Sequence, residues 1–136
     1  MDAFSVATSI VAILQLTAKV INYLNDVKDA SKDCARFAIE AANLYNLLVE
    51  LKYRLVEECN DAWYRSVQAL GVENGPLDQY KHALMKLQTK ISSDSGLKKI
   101  GNALLWTFNK EEVNGLMLRV ERLKSLIQIA LEMDHL

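Results

Sequence analysis

The sequence predicts an all-α protein, a bundle of four to five helices packed mostly antiparallel around one core. Three observations carry this. Of 136 residues, 51% are hydrophobic, which suffices for a core of its own. There are one proline and five glycines, too few for the many turns of a sandwich or barrel. Apolar residues recur at three- and four-residue steps along nearly the whole chain, the period of a helix buried on one side.

The first helix starts near Phe4. Val6, Ile10, Ile13, Thr17, Val20 and Leu24 share one face, and Phe4, Ala7, Val11, Leu14, Ala18 and Ile21 the adjoining one. The remaining strip holds Ser5, Thr8, Ser9, Ala12, Gln15 and Lys19, small and weakly polar where a surface helix shows charges. From Ala3 to Ala18 no residue is charged. Those 16 residues span about 24 Å as a helix, short of a hydrocarbon core of about 30 Å.

The second helix begins after Ser31 or Asp33, either of which suits an N-cap, and runs through Phe37, Ala41, Leu44, Leu48, Leu51 and Leu55 toward Cys59. Asn60 or Asp61 caps a continuation, AWYRSVQAL, which stops at Gly71. A turn over 71–75 follows, because Gly75 precedes a proline suited to a first helical turn. From Pro76, the spacing of Leu77, Tyr80, Leu84, Leu87 and Ile91 gives a third seam, closed by SSDSG. A short helix, LKKIGNALLW, is expected after Gly96.

The last helix has Val113, Leu116, Val120, Leu123, Ile127 and Ala130 on one side. Its start, WTFNKEEV, has a capping logic. Asn109 caps, Glu112 returns the reciprocal bond, Phe108 staples onto Val113, and Trp106 anchors the preceding loop. The predicted core includes Ile10, Leu14, Leu48, Leu55, Leu84, Leu87, Val120 and Ile127.

The chemistry excludes more than it suggests. Cys34 and Cys59 lack metal-ligand spacing, the two histidines stand apart, and there is no glycine-rich phosphate loop. Adjacent acidic pairs such as Glu111 and Glu112 diverge around a helix and do not converge on a substrate. The expectation is a protein without enzymatic activity, cofactor or metal. The formal net charge of −1, without basic residues interleaved with aromatics, argues against nucleic acid. Residues 76–125 do carry 9 basic against 5 acidic groups, read here as a solvated face. The opening lacks the basic start of a secretory signal, so a cytoplasmic protein is expected.

The stretches MDAFSVATSIVAILQLTAKVINYLNDVKDA and LLWTFNKEEVNGLMLRVERLKSLIQIALEMD together resemble the fungal HeLo-like N-terminal domain of NLR-type (STAND) receptors. That family is similar to the four-helix bundle of the mixed-lineage kinase-like pseudokinase. Trp106, Phe108, Lys110 and Glu111, followed by VERLKSLIQIAL, are the most specific part of the likeness. The first helix differs from membrane-active relatives in having no glycine zipper. Its small-residue pairs are Ala3/Ala7, Ser5/Ser9 and Thr8/Ala12.

The resemblance implies one domain over residues 1–136, the N-terminal part of a longer protein. It implies a role in programmed cell death, heterokaryon incompatibility and innate immunity, by self-association on activation. The implied partners are tethered nucleotide-binding or repeat domains and membrane lipids, with recruitment to the plasma membrane through the first helix. Phe4, Val6, Ile10, Val11, Ile13 and Leu14 are the candidate residues for that step. The alternative is a protein-interaction and oligomerisation module whose first helix stays in the core.

Overall fold

The computed structural model describes residues 3–26, 32–57, 61–93 and 110–133. They form α1 (Ala3–Asp26), α2 (Lys32–Glu57), α3 (Asp61–Val67) with a following 3-10 turn (Gln68–Gly71), α4 (Pro76–Ser93) and α5 (Lys110–Met133). No strand occurs among the described residues, and the all-α expectation is met.

The four long helices form a closed ring in which α1 packs on α2 and α4, and α5 packs on the same two. α1 and α2 are antiparallel. The five residues between Asp26 and Lys32 reach about 22 Å at most, and helices of this length run about 36 Å. α2 and α5, in contrast, run in the same direction. Asp33 and Arg36 share a groove with Val113 and Met117, whereas Asn46 and Glu50 share one with Lys124 and Gln128. A long stretch of chain separates α2 from α5, so their pairing is free of the hairpin constraint that sets α1 against α2.

The inward seams are those the periodicity indicates. Val6, Ile10, Ile13, Thr17 and Val20 of α1 are essentially inaccessible, as are Leu44, Leu48 and Leu51 of α2, Tyr80 and Leu84 of α4, and Val120, Leu123 and Ile127 of α5. Leu14, Leu55 and Leu87 complete the predicted core and are buried too. The side chain of Ile91, the helix expected after Gly96, and the continuation toward Cys59 lie outside the described residues.

The turn at 71–75 is built as its residues require. Gly75 N–H donates to the Val72 carbonyl at 2.9 Å, and a Cβ at Gly75 would sit 2.8 Å from the Val72 side chain. Asn74 takes the left-handed conformation, φ 61°, which asparagine tolerates. Asp78 in the first turn of α4 accepts the Asn74 N–H at 3.0 Å, and Gln79 donates its side-chain amide to the Asn74 carbonyl at 2.8 Å. These bonds fix where α4 starts and hence where Tyr80 meets α1. The stretch expected to continue as a helix past Asp61 tightens into a 3-10 turn at Gln68, the usual way a helix ends against a sharp bend.

Candidate functional site, the buried first helix

α1 is the one helix among the described residues long and apolar enough to cross a bilayer, through its segment Ser5–Asp26. The same helix is one wall of the ring, and it turns Val6, Ile10, Ile13, Thr17 and Val20 into the core while Thr8, Val11, Gln15 and Lys19 stay exposed. Of the candidate membrane residues, Val6, Ile10 and Ile13 are 0% exposed and Leu14 is buried, while Val11 is 38% exposed. The side chain of Phe4 lies outside the described residues. The structure therefore brings four of the six candidates together in the core and leaves Val11 on the surface, beside Thr8 and Gln15.

Polar chemistry enters this core through Thr17 and Tyr80. Thr17 Oγ1 donates to the Ile13 carbonyl one turn back at 2.7 Å. With its proton so used, Thr17 accepts from the Tyr80 hydroxyl at 3.5 Å, a contact at the long limit of a hydrogen bond. Both residues are 0% exposed, and burial pushes the Tyr80 phenol up to about 12. The α1–α4 interface thus joins two buried hydroxyls by a weak bond.

The other two ties lie between α5 and the rest. Trp63 Nε1 of α3 donates to the Ala130 carbonyl at 2.8 Å. That carbonyl belongs to the last turn of α5, where intrahelical donors run out, so Trp63 serves as its cap. Lys124 of α5 donates to Glu40 of α2 at 2.5 Å and lies 3.8 Å from Glu121. The Lys124 hydrogen bond holds the Glu40 carboxyl below its ordinary range, and Glu40 in turn holds the Lys124 ammonium above its own.

The residues expected to build the start of α5 are only partly described. α5 begins at Lys110, Val113 is buried and Glu112 is half-buried. Trp106, Phe108 and Asn109 lie outside the described residues. A cleft of about 410 Å³ lies between α4 and α5 and is lined by His82, Lys86, Glu111 and Arg119 among others. It combines charges of both signs, and none of its lining residues is a serine, threonine or cysteine nucleophile. Among the described residues, no three histidine, cysteine or acidic side chains gather as a metal site would require.

One surface was not among the sequence-derived candidates. The outer side of α2 exposes Ile39, Val49, Tyr53 and Val56. The available signal was the step of three and four residues through Ile39, Ala42, Asn46, Val49, Tyr53 and Val56, a strip without a charged member, overshadowed by the stronger inward seam of the same helix.

Comparisons with family models, with curated proteins and with solved structures found no match.

Proposed function

We propose that this chain is a non-enzymatic signalling bundle, a cell-death effector domain of the fungal NLR type. In this reading α1 is held in the core at rest and is delivered to a membrane when copies are gathered. One observation carries the reading: the helix with the length and composition to enter a bilayer keeps its apolar seam, Val6, Ile10, Ile13 and Val20, packed in the core. The 22 residues of Ser5–Asp26 extend about 33 Å, enough for a hydrocarbon core of about 30 Å, provided Lys19 extends its charge toward the headgroups. Clustering supplies what a lone helix lacks. Neighbouring copies let Thr8, Gln15 and the small residues face one another, and high local concentration offsets the cost of undocking.

A second reading is favoured by the same burial. Val6, Ile10 and Ile13 pack so completely that α1 can serve as a permanent core element of an interaction module.

The test is dye release from vesicles containing anionic lipid, with the domain fused to an inducible oligomeriser. Val11→Glu is the informative variant because it places a charge on the exposed side of α1 and leaves the buried face intact. Ile10→Glu would instead put a carboxylate into the core and unfold the bundle. Leakage by the clustered wild type, absent from the monomer and reduced in folded Val11→Glu, supports membrane delivery. A clustered wild type that never leaks leaves the interaction module as the function.

A further inference from the structure

α2 carries two seams. The inward one fills the core. On the solvent side, Ile39, Ala42, Asn46, Val49, Tyr53 and Val56 follow one another at alternating steps of three and four residues, the spacing of a coiled-coil seam. None is charged, Ala42 is partly exposed and the other five are exposed, with Ile39, Tyr53 and Val56 each at about 60%. The contrast with α5 is informative. Its exposed Leu118 and Ile129 are separated by Arg122 and Ser125, which break any such seam.

We infer that this outer face of α2 is a self-association surface, on which a second copy of the chain docks its own α2 in antiparallel orientation. The seam is complementary to itself. A two-fold axis placed between Leu47 and Leu48 sets Ile39 opposite Val56 of the second copy, Ala42 opposite Tyr53, and Asn46 opposite Val49. The smallest residue of the seam meets the largest, so each layer is filled evenly. Parallel pairing would put tyrosine on tyrosine and alanine on alanine, alternating a clash with a void.

Charge agrees with shape. Antiparallel packing brings each flank against the same flank of the second copy, so Glu50 meets Asn43 and Lys52 meets Tyr45, with no like charges opposed. Asn46 is the single amide in the seam. Set opposite Val49 of the second copy, it lowers affinity.

The seam is about 26 Å long and one helix wide, less than a standard stable interface, so association is concentration-dependent. That suits a domain held apart until copies are gathered. The inference rests on the clustering reading above for its biological role. Its failure is separable, because a forced oligomeriser bypasses the α2 seam.

The test is sedimentation equilibrium of the domain from about 10 µM to about 1 mM. The expected result is a monomer–dimer equilibrium weakened about tenfold or more by Val49→Glu, strengthened by Asn46→Val, and unchanged by Leu118→Glu, with all variants folded. Register is read by mixing Ala42→Cys and Tyr53→Cys proteins in a Cys34→Ala, Cys59→Ala background, where the mixed disulfide should dominate. A monomer throughout the range, equal loss with Leu118→Glu, or a dominant Ala42→Cys homodisulfide would overturn the inference. So would a monomer whose vesicle binding falls with Tyr53→Glu, which would make the face a lipid contact.

Discussion

The hydroxyls of Thr17 and Tyr80 face each other across 3.5 Å in the core, and through them the first helix is tied to α4. Among the described residues, Thr17 is the buried polar side chain in a core otherwise made of apolar and aromatic groups. Removing Thr17 alone strands the Tyr80 hydroxyl, so Thr17→Val should cost about 1–3 kcal/mol. Tyr80→Phe leaves Thr17 bonded to the Ile13 carbonyl and should be close to neutral. The double variant should recover most of the loss. Denaturant midpoints of the four proteins check this cycle, and additive losses would contradict the pairing.

The same tyrosine makes a pH prediction. Its phenol is raised from an ordinary value of 10.0 to about 12 in the fold, so between those values the unfolded chain releases a proton that the folded chain retains. Stability contributed by Tyr80 is therefore fully present below about pH 10 and falls as pH rises toward 12. Wild type should lose more stability than Tyr80→Phe between about pH 8 and about pH 11, measured by urea unfolding. Parallel losses would place the phenol in water.

The two central seams should respond like a packed interior. Leu48 is 0% exposed and Leu123 1%, so Leu48→Ala or Leu123→Ala should destabilise by about 2–5 kcal/mol. Lys86→Ala, on the exposed side of α4, should stay within about 0.5 kcal/mol. Thermal or denaturant unfolding distinguishes these outcomes.

Trp63 should matter through its nitrogen as well as its ring. Trp63→Phe keeps an aromatic plug but strands the Ala130 carbonyl, for an expected loss of about 1–3 kcal/mol. Hydrogen exchange should show the last turn of α5 opening more readily than in wild type. Unchanged exchange there would contradict the capping role.

What the sequence made legible were the seams, because each helix has one side whose apolar residues repeat at the helical period. Ile10, Leu48, Leu84 and Ile127 could be assigned to the core from local spacing alone. The ties between helices were not legible. Trp63 and Ala130 are 67 residues apart, Glu40 and Lys124 are 84 apart, and no local pattern pairs them. Nor does periodicity say which helices become neighbours, so the parallel course of α2 and α5 emerges only in three dimensions. The first helix is the sharpest case. Its composition suits both a bilayer and a core, and only the packing of Val6, Ile10 and Ile13 shows where it sits in the folded bundle.

The central claim is that α1 leaves this core when copies are gathered on a membrane. The most direct measurement is thiol protection of Ile10→Cys, in a Cys34→Ala, Cys59→Ala background fused to an inducible oligomeriser. Ile10 is 0% exposed, so in the unclustered domain its replacement thiol should resist a lipid-soluble maleimide even with vesicles present. On clustering, the account predicts rapid labelling at position 10 together with dye release. A thiol that stays protected while the clustered domain is bound to vesicles would contradict it.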